Sequence, residues 1–208
     1  MLNRYLLSLL LTLNACAPYA NGPVFSTEDA NKTFQPILDF MDAKPGMAIA
    51  DVGAGSGALT VIMATQLDSC IVYIQDIDKK VLEQQNVNKM IAYYSKKLGY
   101  DLGKRNTFHI TYGALDLIYS NATVHVFDQP DSMLSDLRRK LKPTGRIFIR
   151  DSFKDDQGEG EFCSDSKCGM RLYSIDEFLA MMDRNGFQLV EQSPNMSGYP
   201  VFGFTSKQ

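Results

Sequence analysis

Basic residues are not in excess in this chain. Lysine and arginine number 21 against 24 aspartates and glutamates, a net charge of −3, so nothing in the overall balance attracts a phosphate backbone and nucleic acid is not an expected partner. Cysteine is scarce: four in 208 residues cannot build a disulfide scaffold. Fifteen glycines and eight prolines are near average usage, which excludes collagen-like and low-complexity chains. The apolar run Tyr5 to Leu13 covers only about nine residues, roughly half of a bilayer-spanning helix. What is present, 45% hydrophobic and 22% charged residues, suits one globular domain with a single core.

That apolar run follows Arg4, and the pair reads as the positive and apolar regions of an export signal. The residues after it, Leu13-Asn14-Ala15-Cys16, resemble a bacterial lipobox, with Cys16 as the residue that would carry lipid. An ordinary cleavage site at Ala15-Cys16-Ala17 competes, and an uncleaved leader in a cytoplasmic protein is the third reading. The expectation is therefore a leader over residues 1–16, a domain over 17–208, and an exported protein in the periplasm or held to the membrane through Cys16. In an oxidising compartment Cys163 and Cys168 could close a loop disulfide worth roughly 2 kcal/mol. Cys70, at the start of an apolar run, reads as a buried thiol. No metal site is expected, because no second Cys or His pair accompanies Cys163 and Cys168, and His109 and His125 lie on strand-like runs.

The remaining pattern alternates. Phe34, Ile37, Leu38 and Met41 recur at helical spacing over 31–41, stopped by Lys44-Pro45-Gly46. A strand at 47–52 leads through Gly53-Ala54-Gly55-Ser56-Gly57 into a helix over 58–67, a strand at 70–75 and a helix over 78–98. Strands are expected at 107–111, 123–127 and 146–150, with a helix over 131–141 and a turn at Lys142-Pro143-Thr144-Gly145 before the last of them. Residues 151–172 read as an acidic loop. Ser174 and Glu177 form a capping-box pattern ahead of Phe178, Met181 and Met182, and strands at 187–191 and 199–204 close the chain. Alternating strands and helices imply an α/β fold with a parallel sheet covered on both faces, and the last strand pair, lacking a helix between, implies one antiparallel strand.

Glycines between a first strand and a first helix let backbone approach a ligand, and the helix amino end offers unpaired N–H groups. Gly53-x-Gly55-x-x-Ala58 also satisfies the loose dinucleotide pattern, so a NAD-dependent oxidoreductase stands as an alternative. Asp76, 23 positions after Gly53 at the end of the second strand, suits ribose hydroxyls in either case. Four segments taken together go further. Ile49-Ala50-Asp51-Val52-Gly53-Ala54-Gly55-Ser56-Gly57, then Val72 to Asp76-Ile77-Asp78, then Leu141-Lys142-Pro143-Thr144-Gly145-Arg146-Ile147-Phe148-Ile149, then Glu177-Phe178-Leu179 to Asn185-Gly186-Phe187, resemble class I S-adenosylmethionine-dependent methyltransferases over residues 34–206.

The resemblance implies a doubly wound, Rossmann-like, seven-stranded sheet, mostly parallel with its last strand antiparallel, and S-adenosyl-L-methionine as cofactor. It implies that Asp51, Gly53, Ala54, Gly55, Ser56 and Gly57 line the methionine portion, that Asp76 takes the ribose hydroxyls and that Ile77 lies against adenine. Many members carry Gly-Asp after the third strand to reach the adenine amino group. This chain has Gly113-Ala114, so Ala114 stands at that cofactor position, with Asp116 or a backbone group as substitute. Methyl transfer depends chiefly on positioning. The acceptor is expected beyond the fourth and fifth strands, near Asp128, Gln129, Pro130, Asp131 and Asp151, with Asp128 as a candidate general base. The Asn/Asp-Pro-Pro-aromatic signature of amino-group methylation is absent at Phe127-Asp128-Gln129-Pro130, which points to a small-molecule acceptor. A non-catalytic, exported lipoprotein that binds a nucleoside or a partner through the same fold is the other alternative.

Overall fold

In the computed structural model the residues described are 27–76, 82–109, 114–154, 172–196 and 199–207. Helix α1 (Thr27–Phe40) precedes β1 (Ala48–Val52), α2 (Ala58–Ala64), β2 (Ile71–Gln75), α3 (Gln84–Leu98), the short α4 (Leu102–Arg105) and β3 (Thr107–His109). Then come β4 (Leu115–Asn121), a 3₁₀ turn (Val124–Val126), α5 (Pro130–Lys140), β5 (Leu141–Arg150), α6 (Ile175–Arg184), β6 (Phe187–Met196) and β7 (Tyr199–Ser206). The strands form one seven-stranded sheet in the order β3-β2-β1-β4-β5-β7-β6. All neighbours are parallel except β7, which runs antiparallel to β5 and β6. This is the doubly wound α/β architecture expected from the sequence.

Each strand of the central sheet feeds two cores. Along β1, Ile49 points to the face covered by α1 to α4, where Ile37, Met41, Ile62, Val87 and Leu102 are buried. Ala50 and Val52 point to the opposite face, covered by α5 and α6 through Leu134, Leu137, Phe178 and Met182. Burial on both faces is why β1 reads as an apolar run without alternation. The capping box forms as expected: the Glu177 N–H donates to Ser174 Oγ at 3.1 Å, and the Ser174 N–H donates to Glu177 Oε2 at 2.8 Å.

The fourth strand differs from expectation. Residues Thr123 to Phe127 are no strand; Val124–Val126 is a 3₁₀ turn, and β4 is Leu115–Asn121, paired along β1 and β5. The β-branched pair Val124 and Val126 carried the strand signal, whereas Asp116 broke up the apolar run of the true strand. The expected turn at Lys142 to Gly145 lies inside β5 as a bulge. Leu115 pairs with Leu141 and Leu117 with Arg146, and a Cβ on Gly145 would stand 2.8 Å from the Leu115 carbonyl oxygen. Only glycine permits that approach.

Candidate active site

The glycine loop leaves the carboxyl end of β1, and its three glycines are required for three different reasons. Gly53, Gly55 and Gly57 have φ of 76°, 56° and 79°, a region that disfavours side chains. A Cβ on Gly53 would stand 2.0 Å from Thr123 Cγ2, and one on Gly57 would press Ile74 at 3.1 Å, whereas one on Gly55 would meet nothing within 4 Å. Gly53 therefore lets the turn after β4 close onto the loop, Gly57 lets α2 pack on β2, and Gly55 leaves open space above the backbone. The loop is fastened to β2, since the N–H groups of Gly53 and Ala54 both donate to the Gln75 carbonyl at 2.9 and 3.0 Å.

Two aspartates flank this loop. Asp76 accepts from the Gly55 N–H at 2.7 Å, which fixes the ribose candidate beside the open glycine. Asp51 is only 4% exposed and accepts from Thr60 Oγ1 at 2.6 Å. Burial pushes its carboxyl up to about 6; the Thr60 hydroxyl opposes the rise and the negative charge of Asp76 adds to it. A cavity of about 530 Å³ opens beside Gly53 and is lined by Asp76, Val126, Phe127, Asp128, Met133 and Asp136 among others. A second, of about 40 Å³, lies between Gly53, Asp51, Ala54, Phe34, Tyr119 and Asn121. Together they form a trough across the carboxyl ends of β2, β1 and β4, the usual ligand position in an open α/β sheet.

The structure thus brings Asp51, Gly53, Ala54, Gly55, Ser56, Gly57 and Asp76 together in one loop and its borders. Ile77 and Gly113 lie outside the described residues, as do Cys16, Cys163 and Cys168, while Cys70 is buried. Ala114 is not in the group. Leu117 pairs with Ile49 near the start of β1, so Ala114, exposed just before β4, stands at the opposite edge of the sheet. Asp116 does not substitute for the missing acid either. It is tied at that same far edge, accepting from the Ala48 N–H at 2.9 Å and Lys142 Nζ at 2.6 Å.

Among the acceptor-side candidates, Asp128 and Gln129 are exposed and line the larger cavity. Asp131 is engaged elsewhere, accepting from Arg184 Nε at 2.9 Å and from the Asn185 amide, which joins α5 to α6. Asp151 is interior: it accepts from His125 Nδ1 at 2.7 Å, from the His125 N–H at 3.3 Å and from the Ser152 N–H at 2.8 Å. Since a carboxylate only accepts, Nδ1 carries the proton. Nothing local in the sequence announces this pair, because the partners are 26 positions apart and the Val124-His125-Val126 pattern suggests a strand. On the Asp51 side, Asn121 Oδ1 accepts from Arg150 Nη1 at 2.6 Å, and the Arg150 guanidinium lies 4.5 Å from the Tyr199 ring.

Residues 50–149 match the model of a methyltransferase domain. The chain is 25% identical over 169 residues to phosphoethanolamine N-methyltransferase 1 of Arabidopsis thaliana, covering 80% of this chain and 34% of that protein. It is 27% identical over 165 residues to an arsenite methyltransferase of Aquipseudomonas alcaligenes, covering 72% and 47%. The chain thus spans about a third to a half of the curated relatives it matches. An S-adenosylmethionine-dependent methyltransferase from Aquifex aeolicus superposes with a TM-score of 0.61 at 21% identity, over 88% of this chain and 98% of that one.

The fold is the doubly wound, Rossmann-like one of the Aquifex aeolicus structure, and the match over residues 50–149 is to a methyltransferase domain. The matched residues run from within β1 to just short of the end of β5 and contain the whole glycine loop, Asp51, Asp76 and Asp128.

Proposed function

We propose that this chain transfers the methyl group of S-adenosyl-L-methionine to a small-molecule acceptor. The supporting observation is the charge of the trough. Asp76, Asp128 and Asp136 line the larger cavity with no lysine or arginine among its described lining residues, and Asp51 lines the smaller one. A dinucleotide would bring a pyrophosphate into that field of carboxylates, whereas S-adenosylmethionine brings a sulfonium and an ammonium. Charge therefore favours the methyl donor over the nicotinamide cofactor that the glycine pattern also admits.

The residues fit the cofactor in shape as well, with open space over Gly55 and a carboxylate anchored to its N–H. When bound, the cofactor supplies an electrophilic methyl group on a cationic sulfur. The chain's own contribution is to hold that group across Gly53, with Asp76 for the ribose hydroxyls and Asp51 towards the methionine portion. Orienting donor and acceptor supplies most of the acceleration in such a displacement. Asp128, exposed at the cavity rim, is within the same trough as a base for an acceptor proton. The acceptors named for two relatives, phosphoethanolamine and arsenite, support a small acceptor here.

Thermal unfolding with S-adenosylmethionine, S-adenosylhomocysteine and NAD⁺ tests the reading. A ligand present at 100 times its Kd adds about 2.7 kcal/mol of stability, so the first two are expected to raise Tm and NAD⁺ to leave it unchanged. Protection by NAD⁺ alone would overturn it. For residues 1–16 we infer, from their sequence pattern, an export leader with Cys16 as the lipid attachment point.

A further inference from the structure

Helix α3 has two faces of opposite character. Val87, Met90 and Tyr94 point inward and are buried in the core shared with α1, α2 and α4. On the outside, Lys89, Ala92, Tyr93, Lys96 and Lys97 are exposed, and their spacing of i, i+3, i+4, i+7 and i+8 sets them in one stripe along the helix. The Tyr93 ring stands edge-on to Tyr94 at 5.3 Å and has the Lys97 ammonium 4.9 Å from its centre. The helix contains no aspartate or glutamate, and Lys89, Lys96 and Lys97 make no ion pair among the described residues.

Charge is segregated in this chain. Residues 84–105, spanning α3 and α4, hold five basic residues against one acid, a net +4, while the rest of the chain holds 16 against 23, a net −7. The one acid, Asp101, caps α4 by accepting from the Lys104 N–H at 3.2 Å, and Arg105 is paired with Asp68 at 3.2 Å. The outward charge is therefore that of the three lysines of α3. The segments 77–81 and 110–113, which border this region in sequence, hold two lysines and one aspartate, so their charge does not offset it.

We propose that the outer stripe of α3 docks on an anionic lipid surface and holds the domain in one orientation against it. Lysines along a helix face match a layer of anionic headgroups, and a tyrosine, apolar in its ring and polar at its tip, suits the headgroup level. A positive face on an otherwise negative chain also orients the molecule as it approaches such a surface. The chain enters the fold through α1, on the same face of the sheet as α3, so the leader inferred above joins the fold on the side that carries the stripe. The helix lies on the bilayer and does not cross it, since none among the described residues is long and apolar enough to span a membrane. This docking is independent of the methyl-donor reading, because the stripe shares no residue with the described lining of either cavity.

The test is vesicle sedimentation of the full chain carrying Cys16→Ser, so that no acyl chain contributes. Vesicles of phosphatidylcholine alone are compared with phosphatidylcholine mixed equally with phosphatidylglycerol; the apolar run of the leader meets both alike. Each lysine near an anionic surface multiplies binding about fivefold, so the three are expected to favour the mixed vesicles by about 100-fold. The preference should vanish in 1 M salt, where the Debye length is about 3 Å. Adding Lys89→Gln, Lys96→Gln and Lys97→Gln together is expected to abolish it, whereas Arg138→Gln, Arg139→Gln and Lys154→Gln, the same change in net charge on exposed residues outside α3, should leave it. The α3 substitutions touch only exposed side chains, so the unfolding midpoint and the affinity for S-adenosylhomocysteine should stay at their unsubstituted values. Equal binding to the two vesicles, a preference that survives the α3 substitutions, or one lost equally in the control would overturn the proposal. Capture of a single-stranded RNA oligonucleotide by the stripe in place of the mixed vesicles would assign the face to nucleic acid and overturn it as well.

Discussion

Asp51 is an acid whose ionised form destabilises the fold that holds it, which makes the effect of its charge measurable. Its carboxyl is buried and pushed from an ordinary 3.8 to about 6 by loss of solvent. The folded protein therefore holds that proton more tightly than the unfolded chain does. Stability conferred by the neutral form is complete below about pH 4, is lost as pH rises towards 6, and is gone at pH 7.5. At 1.36 kcal/mol per pH unit, the interval corresponds to about 3 kcal/mol. Asp51→Asn removes the ionisation and retains an oxygen for the Thr60 hydroxyl, so it should stabilise the ligand-free protein at pH 7.5 by up to about 3 kcal/mol. For a chain of this size, that is roughly 6 to 12 °C in Tm. The assay is urea unfolding of wild type and Asp51→Asn from pH 4.5 to 8, subtracting one curve from the other to isolate this group. The variant should gain on the wild type as pH rises and should bind S-adenosylhomocysteine at least about 10-fold more weakly. A flat difference, or a variant less stable at pH 7.5, would refute the argument that burial of this charge is held against stability for the ligand's sake.

The glycine loop separates packing from ligand approach. Gly53→Ala should cost about 2 to 4 kcal/mol in chemical unfolding, since its methyl would overlap Thr123, and Thr123→Ala in the same chain should restore part of it. Gly55→Ala meets no atom and should cost only the backbone term, about 1 to 2 kcal/mol; a loss as large as that of Gly53→Ala would contradict the open space assigned above it. Asp151→Ala strands the buried His125 ring and its N–H and should cost about 2 to 4 kcal/mol in unfolding free energy, with a neutral result showing that water reaches the pair. Acyl-chain labelling of the full chain expressed in a bacterium should be abolished by Cys16→Ser, and labelling that survives the substitution would remove the proposed attachment point.

The parts of the fold legible in the sequence are those whose signals are local. Gly53 to Gly57 between a strand and a helix, Asp76 at a strand end, and Ser174 with Glu177 each declare themselves within a few residues, and each stands where the pattern put it. The fourth strand is not legible in the sequence, for an equally physical reason. Along β4 the residues Leu115, Leu117, Ile118, Tyr119 and Ser120 are all buried, a run with no alternation that Asp116 interrupts, while the more β-branched Val124 and Val126 form a turn. Asp116, Asp131 and Asp151 were unreadable as structural acids because their partners Ala48, Arg184 and His125 lie 68, 53 and 26 positions away. Only the sheet order and the helix packing bring them together. In a trough rimmed by aspartates, sequence alone does not separate those that hold the fold from those that face a ligand.

The central claim is that the loop from Gly53 to Gly57 and Asp76 form a working site for the methyl donor. Calorimetric titration of S-adenosylhomocysteine into the full chain tests it without knowledge of the acceptor. One molecule is expected to bind per chain, with affinity reduced at least about 10-fold by Asp76→Ala, which removes the ribose acid, and by Gly55→Val, which fills the space above the loop. No binding to the wild type, or binding that both variants leave unchanged, would contradict the account.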